Sequence, residues 1–351
     1  MGLIRVLLAI CVIIGHTATR GFYTIDGSLA VEAFYIISGF YMSMILNEKY
    51  VGKGSYKLFI TNRFLRLYPI YYAVIILSLV FIFCTGKLSM PNLSPVTILY
   101  LVFVNGFILF MDWVVFMGLN SEGDLYFTPS FLNTNPKVHT FLLVPQAWTL
   151  SIEIAFYLIA PFILRRGVKI VLAIILVSLL ARFIAYRLGY NYDPWTYRFL
   201  LFEFAFFFIG NISYRLYNYI KARPFKTIGY IAFGLALITS MFYELVSVPK
   251  QKFVFLFLFA ALVPFIFNLT KKWKWDTWIG DLSYPVYLVH FLIITLVTYF
   301  NIHLLNETTT VIILSFAASV ILNYIIAKPI EKYRQSRVKK RPVKANLAIQ
   351  G

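Results

Sequence analysis

Charged residues are scarce in this chain, and acidic residues are scarcer than basic ones. Only 13% of its 351 residues are charged, and 14 acidic side chains stand against 32 basic ones, which gives a net charge of +18. Because a soluble globular domain carries about a quarter charged residues, this composition excludes that class. Cysteine is rarer still: Cys11 and Cys84 both lie in apolar stretches, so no disulfide framework is expected.

Long apolar runs take the place of the missing charge. Hydrophobic residues make up 60% of the chain, aromatic residues 19%, and the mean hydropathy is +0.78. These values are typical of an integral membrane protein. The basic residues fall in short runs between the apolar stretches, which follows the positive-inside pattern and does not indicate a nucleic-acid-binding face. The first apolar run has no small-residue cleavage site, so we interpret it as a span and not as a signal peptide.

Eleven apolar stretches approach the length of a span, which is roughly 17 to 25 residues. If all of them crossed, the basic loops before and after residue 146 would lie on opposite sides of the membrane. The stretch 96–117 contains Asn105, Gly106 and Asp112, so we predict a re-entrant or interfacial element there. The other ten are predicted to cross, at residues 3–17, 28–46, 68–85, 146–164, 168–187, 198–214, 226–245, 252–270, 282–300 and 308–327.

The predicted fold is therefore all-α, a polytopic membrane protein of about ten spans with both termini cytoplasmic. Residues 1–330 would form one membrane domain, and residues 331–351 a flexible, basic cytoplasmic tail. The loop 246–252 departs mildly from the charge rule, because it puts Lys250 and Lys252 outside.

Few ionisable residues lie inside the predicted spans, and each is a candidate for function because burying it in a membrane is costly. Arg5 and His16 are eleven residues apart in the first span, close to three helical turns, so they share one face about 16 Å apart. The others are Glu32, Glu153, Arg182, Glu203 and His290.

Three of these residues are expected at similar depths in the membrane. Counting from the predicted helix ends puts Glu153 about 10 Å below the outer side and His290 about 12 Å above the inner side. Together with His16 they are predicted to reach one central to outer cavity. The alternatives are that His16 only bonds a neighbouring helix and that Glu32 and Glu203 only pair with Arg182 or Arg5. His139 and His303, in outer loops, are expected to be solvated.

Six short motifs follow one another along the chain. They are the R-x(10)-H of Arg5 and His16, "VEAFYIISGF" from Val31, "RFLRLYP" with Arg63 and Arg66, "WTLSIEIAFYLIAP" from Trp148, "LSYPVYLVH" ending at His290, and "KPIEKY" from Lys328. In this order they resemble the acyltransferase 3 family of membrane-bound acyltransferases, over almost the whole length. The second motif departs from the family pattern, with Glu32 where aspartate is usual and Tyr35 where phenylalanine is usual.

The resemblance implies transfer of an acyl group, usually acetyl from acetyl-CoA, to a hydroxyl of an envelope carbohydrate. Family members of this length include O-antigen, exopolysaccharide and capsule acetylases of the bacterial cytoplasmic membrane. The implied partners are acyl-CoA, a carbohydrate or lipid-linked oligosaccharide acceptor and membrane lipids, with no nucleic acid and no metal. The family's first-span histidine, here His16, would be catalytic.

If the protein is such an acyltransferase, Arg63 and Arg66 are suited to bind the phosphates of the acyl-CoA donor, and Arg5 would line the entry path of the donor's arm. The alternative is that these arginines only fix the topology. His16 would act as general base on the acceptor hydroxyl, and Glu153 or Glu32 would orient its imidazole.

The residues expected to stabilise the oxyanion or position the acceptor are His290, Glu32, Ser38, Tyr157 and Tyr287. Direct transfer and a covalent acyl-enzyme remain open at this stage. The competing class is a transporter or flippase of an envelope precursor, because buried ionisable residues and an interrupted helix also mark transport paths.

Overall fold

The computed structural model describes residues 1–17, 22–86, 92–223, 225–302 and 304–339. Twelve α-helices lie within these ranges. The first six are α1 (Gly2–Thr17), α2 (Gly27–Glu48), α3 (Ser55–Thr85), α4 (Pro95–Phe107), α5 (Trp148–Ile163) and α6 (Val168–Arg187). The other six are α7 (Leu200–Ile220), α8 (Lys226–Met241), α9 (Gln251–Thr270), α10 (Lys274–Phe300), α11 (Glu307–Leu322) and α12 (Lys328–Lys339).

The long connection between α4 and α5 is folded without long helices. It contains a two-stranded antiparallel hairpin, β1 (Met117–Leu119) and β2 (Leu125–Phe127), in which Met117 lies opposite Phe127. Short 3₁₀ turns surround the hairpin, at Met111–Phe116, Phe131–Asn133, Val138–Phe141 and Pro145–Ala147.

The helices confirm the predicted all-α polytopic membrane class. Seven helical segments of the described ranges are long and apolar enough to cross a membrane, and α1 and α8 are shorter apolar helices. α7 has 21 residues but carries several polar side chains. When α1, α7 and α8 are added to the seven long apolar segments, a helix occupies each of the ten predicted spans.

Alternating helix directions sort the loops to two ends of the bundle. The end that we call the basic end holds Met1, α12 and the loops after α2, α5, α7 and α9. Contacts such as that of Arg165 with the carbonyls of Leu46 and Tyr50 join these loops. The opposite end, the hairpin end, holds the hairpin and the loops after α1, α6, α8 and α10.

Two helix boundaries differ from the prediction. α3 begins at Ser55 and not near residue 68, so it is 31 residues or about 46 Å long. Arg63 and Arg66, predicted in a loop, therefore lie within its first turns; the charges lower local hydropathy but do not break a helix. The tail was predicted to be flexible from residue 331 onward, yet α12 is helical to Lys339. Residues 340–351 lie outside the described residues.

The eleventh apolar stretch enters the bundle and turns back, as a re-entrant element does. α4 has 13 residues, about 20 Å, which is too short for the roughly 30 Å of a bilayer core. The chain reverses after Phe107, and the reversal is made by Ile108 and Phe110, whose φ angles are 64° and 59°.

Tyrosines of α3 donate hydrogen bonds to the backbone carbonyls at the C-terminal end of α4. The hydroxyls of Tyr71 and Tyr72 donate to the carbonyls of Asn105 and Gly106 at 2.6 and 2.8 Å, and Tyr68 donates to Phe107. These tyrosines lie near the middle of α3, so α4 ends about halfway through the bundle. Backbone carbonyls left free at that depth would be costly, and the tyrosine hydroxyls remove that cost.

Glycines bring two helix pairs into close contact. A Cβ atom on Gly39 of α2 would lie 1.9 Å from the Phe207 carbonyl oxygen of α7, and one on Gly210 would lie 2.1 Å from that of Ile36. On α1, a Cβ atom on Gly2 would lie 1.6 Å from the Asp276 carbonyl oxygen of α10. Small residues at helix interfaces allow such close approach in membranes. The α1–α10 contact positions the site described below.

Candidate active site

A large cavity opens at the basic end and is lined by arginines from three helices. Its volume is about 670 Å³, and we call it the basic cavity. Arg5, Arg63 and Arg66 all line it. Six basic and three acidic side chains line it, which gives these side chains an excess of three positive charges. They are Arg5, Lys49, Arg63, Arg66, Lys271, Arg334, Asp276, Asp281 and Glu331.

The start of α1 is fixed where Arg5 can reach this cavity. The Asp276 carboxylate accepts hydrogen bonds from the backbone N–H groups of Gly2 and Leu3 at 2.8 and 2.9 Å. These N–H groups have no partner inside the helix, and a carboxylate at a helix N-terminus satisfies them. The close contact of Gly2 with α10 then places Arg5 beside Gly280.

A much smaller chamber, of about 110 Å³, lies above the basic cavity and is lined by hydroxyls and a carboxylate. Ser38 donates to Oε1 of Glu153 at 2.7 Å, and Tyr157 donates to the same oxygen. Arg5 and Arg66 line this middle chamber as well as the basic cavity. The two spaces are therefore neighbours that share a wall of arginine side chains.

A third space, the outer cavity, has a volume of about 680 Å³ and is lined by His16 at the last turn of α1. The His16 ring is stacked on the His290 ring with 5.5 Å between centroids, and Phe291 lies 4.6 Å from His16. Two imidazoles from α1 and α10 thus meet beside this cavity, which His16 lines and behind which His290 is buried.

His290 has one nitrogen engaged and one without a partner. Its Nδ1 lies 2.6 Å from the carbonyl oxygen of Tyr287, so Nδ1 carries the proton and donates it. Nε2 is buried, and none of the described residues hydrogen bonds to it. An imidazole in this tautomer has a free acceptor nitrogen.

His290 reaches His16 because α10 begins earlier than predicted. The helix starts at Lys274, so His290 lies sixteen residues from its start, about 24 Å, where the sequence estimate from residue 282 gave about 12 Å. The predicted meeting of His16 and His290 is present in the structure, toward the hairpin end.

Glu153 does not join this imidazole pair. It lines the middle chamber, where Ser38 and Tyr157 occupy one of its oxygens, and His16 does not line that chamber. In the described part of the chain no carboxylate hydrogen bonds to His16 or His290. The predicted carboxylate–imidazole pair is thus replaced by two stacked imidazoles, with the carboxylate one chamber away.

Glu32 lies outside all three cavities, in a buried ion cluster. Its carboxylate is 2.7 Å from Arg182 and 2.9 Å from Lys252, and Arg182 is also 3.7 Å from Glu203. The prediction that Glu32 orients His16 or positions the acceptor is corrected here, because both of its oxygens face cations. Lys252, which seemed to depart from the charge rule, is one of those partners.

Tyr287 lies between the middle chamber and the outer cavity and lines both. Its hydroxyl donates to the Gln146 carbonyl at 3.0 Å and is 2.8 Å from the Thr149 hydroxyl. With Val31, also shared by both spaces, it forms the boundary between them. The three spaces therefore lie in series between the arginines and His16, each sharing lining residues with the next, and we call this series the passage.

Two residues that line the outer cavity, His139 and Arg198, were not predicted as site residues from the sequence. His139 was expected to be solvated, but it lines the cavity, and burial followed by the nearby Arg198 lowers the pKa of its imidazole. Arg198 is stacked on Trp148 at 4.5 Å and paired with Asp193 at 2.7 Å. The sequence feature that could have indicated Arg198 is its position as a basic residue inside the aromatic stretch "DPWTYRFL". His303 lies outside the described residues.

The fold and the passage define an integral membrane protein whose internal polar site opens toward both ends of the bundle. The comparison with known families then assigns the chemistry: residues 1–328 match the acyltransferase domain, and the chain belongs to that family of enzymes.

One curated relative is similar to the chain, the peptidoglycan O-acetyltransferase OatA of Listeria monocytogenes serovar 1/2a. The two are 26% identical over 327 residues, which covers 84% of this chain and 49% of the relative. The chain therefore spans about half the length of the relative that it matches. No solved structure matches the chain.

Proposed function

We propose that the protein is an O-acyltransferase that moves an acetyl group from cytoplasmic acetyl-CoA to a hydroxyl of an envelope carbohydrate. The observation that carries this proposal is the passage, which links a cluster of arginines at one end of the bundle to His16 near the other. Membership of the acyltransferase family supports an enzyme over a transporter or flippase. The likeness to a peptidoglycan O-acetyltransferase supports acetyl as the group and a cell-envelope polymer as the acceptor.

The distribution of basic residues supports an orientation with the basic end in the cytoplasm. Loops at that end carry basic runs at residues 165–169, 221–226 and 271–274, and α12 carries more. By the positive-inside rule these loops are cytoplasmic. We therefore assign the protein to the bacterial cytoplasmic membrane with both termini on the cytoplasmic side, the side on which acyl-CoA is made.

The donor would enter through the basic cavity. Its phosphates would meet the excess of three positive charges, since guanidinium groups pair with phosphate oxygens through two hydrogen bonds. The long flexible arm would then pass Arg5 and bring the thioester into the middle chamber. In this arrangement Arg5 is the one proposed donor residue that shares a helix face with His16.

The acceptor would enter from the hairpin end into the outer cavity. Aromatic rings that line it, those of Trp148, Tyr197, Phe131 and Phe291, offer flat apolar faces to a sugar. Peptidoglycan, O-antigen, exopolysaccharide, capsule and lipid-linked oligosaccharide all carry hydroxyls that fit this chemistry. The polymer that takes up label in the transfer assay identifies the acceptor among them.

The transfer step needs one base and one group that stabilises negative charge. His16 would take the proton of the acceptor hydroxyl while the oxygen attacks the thioester carbonyl carbon. The carbon–sulfur bond then breaks, and the CoA thiolate leaves and takes up a proton. Tyr287, at the boundary between the two spaces, is our candidate for binding the carbonyl oxygen, with His290 holding the His16 ring. Ser38 and Tyr157 would hold Glu153 in the middle chamber.

The test of this function is transfer across a membrane. Membrane vesicles of both orientations, prepared from cells that make the protein, would receive radiolabelled acetyl-CoA on the outside. Label should enter envelope carbohydrate only in vesicles whose basic end faces the added donor. Equal labelling in both orientations, or none in either, contradicts the proposal.

Removing two arginines of the basic cavity should weaken donor binding and spare the chemical step. In the double variant Arg63→Ala, Arg66→Ala we expect the KM for acetyl-CoA to rise at least about tenfold, because each charge-assisted hydrogen bond contributes roughly 1.5–3 kcal/mol. Transfer rates measured over a range of donor concentrations check this. The matched control is Lys221→Ala, Arg223→Ala, two exposed basic residues at the same end that do not line the cavity. An unchanged KM in the first variant would remove the phosphate role.

A further inference from the structure

α12 lies almost wholly beyond the residues that the family match covers, although its first residues carry the "KPIEKY" motif. The family match ends at residue 328, where α12 begins. A π-helical turn, Asn323–Ala327, joins α11 to α12, so the two form one nearly continuous helix. The basic tail of the sequence is thus held against the bundle at the basic end.

Hydrogen bonds to α3 fix the orientation of α12. Arg337 donates to Oδ1 of Asn62 at 2.7 Å and to the Thr61 hydroxyl at 2.8 Å. Asn62 is fully buried and itself donates to the Tyr50 hydroxyl at 3.1 Å. With these contacts made, the neighbouring face of α12 becomes a wall of the basic cavity, through Glu331, Arg334, Gln335 and Val338.

Arg334 is the buried cation of this wall. It is 7% exposed, and its Nε has no hydrogen-bond partner among the described residues. Arg63, on the neighbouring helix α3, is 4% exposed, and its Nε likewise has no hydrogen-bond partner among the described residues. Glu331 of the same helix forms an ion pair with Arg334, whereas the positive charges of Arg63 and Arg66 repel Arg334.

Such a cluster is costly unless an anion completes it. Buried charges in proteins are paired or bound to ligands, because moving an unpaired ion out of water costs several kcal/mol. Two carboxylates, Glu331 and Asp281, stand beside the three guanidinium groups of Arg63, Arg66 and Arg334. The open cavity and the two unpartnered Nε atoms show where an anion with several oxygens would bind.

We propose that Arg334 of α12, together with Arg63, binds a phosphate group at the nucleotide end of the acyl donor. This inference rests on the proposed function and adds to it a residue from outside the family match. A phosphate carries enough oxygens to accept from two guanidinium groups at once, and arginine suits it better than lysine because its donors form a planar fork. The phosphate of a lipid headgroup has the same chemistry, so the test must separate the two sources.

The experiment measures binding of CoA itself to the purified full chain in detergent. The variants are Arg334→Ala and Arg334→Lys, with Lys332→Ala as the matched control, since Lys332 is an exposed basic residue of the same helix that does not line the cavity. We expect Arg334→Ala to weaken CoA binding by about tenfold to a hundredfold. Arg334→Lys should recover part of the affinity, and Lys332→Ala should bind within about threefold of the unchanged protein.

The outcomes separate this inference from the proposed function. If Arg334→Ala binds CoA as tightly as the unchanged protein does, Arg334 is no ligand and the inference fails, while the proposed donor site stands. If the unchanged protein binds no CoA, the donor assignment itself fails. If Arg334→Ala leaves CoA binding intact but loses co-purified phospholipid, the ligand is a lipid headgroup and the inference is overturned. Should Arg334→Ala melt at a lower temperature, the Arg334→Lys affinity decides the result.

Discussion

Replacing His16 by alanine should lower acetyl transfer by about 10² to 10⁴, the range that a general base contributes to catalysis. The imidazole lines the outer cavity, where the acceptor would bind, and it is stacked on His290. The measurement is incorporation of radiolabelled acetyl from acetyl-CoA into envelope carbohydrate, at equal protein level. CoA affinity should be unchanged, because the basic cavity does not include His16.

The matched control is His139→Ala, an imidazole of the same cavity on a loop at the hairpin end. We expect its effect to be within about tenfold of the unchanged rate, because His139 is not stacked on His290. A His16→Ala protein that transfers label at the normal rate would refute the assignment. The same membranes separate direct from covalent transfer: label that stays bound to the protein when acceptor is withheld indicates an acyl-enzyme.

The ion cluster around Arg182 should dominate stability. Replacing Arg182 by methionine leaves the buried Glu203 carboxylate, which is 3.7 Å from the guanidinium, without its main cation, and also removes a partner of Glu32. Breaking a buried pair by removing one member typically costs about 3–5 kcal/mol, because the remaining charge stays uncompensated. We expect the free energy of unfolding to fall by this amount, with a lower melting temperature in detergent.

Arg187→Met is the matched control, since Arg187 is exposed on the same helix α6. It should melt close to the unchanged protein. The double variant Arg182→Met, Glu203→Gln should regain part of the loss, because it removes the carboxylate that has lost its partner. If all three proteins melted alike, the cluster would have no role in stability.

The sequence predicted the helical elements well, since hydropathy and loop charge depend on local composition. The re-entrant stretch followed from counting which loops must share a side, and α4 does turn back near Phe107. Where charge interrupted an apolar run, the helix ends were misplaced. α3 and α10 each start at least two turns earlier than predicted, and α12 continues through a stretch as polar as a linker.

The partners of each buried charge could not be predicted, because they depend on how helices pack in three dimensions. Periodicity put Arg5 and His16 on one face, and both line the passage. It could not tell that Glu32 turns toward α6 and α9, or that Glu153 lies below the imidazole pair. His139 and Arg198 lie in loops, where no period indicates direction, so only their position in the fold connects them to the site.

The small size of the middle chamber has a consequence for the cell's energy supply. A protein open toward both sides of an energised membrane would dissipate the proton gradient if water filled it from end to end. At about 110 Å³ the chamber has room for only a few water molecules. Arg5 and Arg66 stand at its lower mouth, and fixed positive charge in a narrow pore repels protons and cations. The same arginines that would guide the donor inward are therefore also expected to oppose proton leak between turnovers.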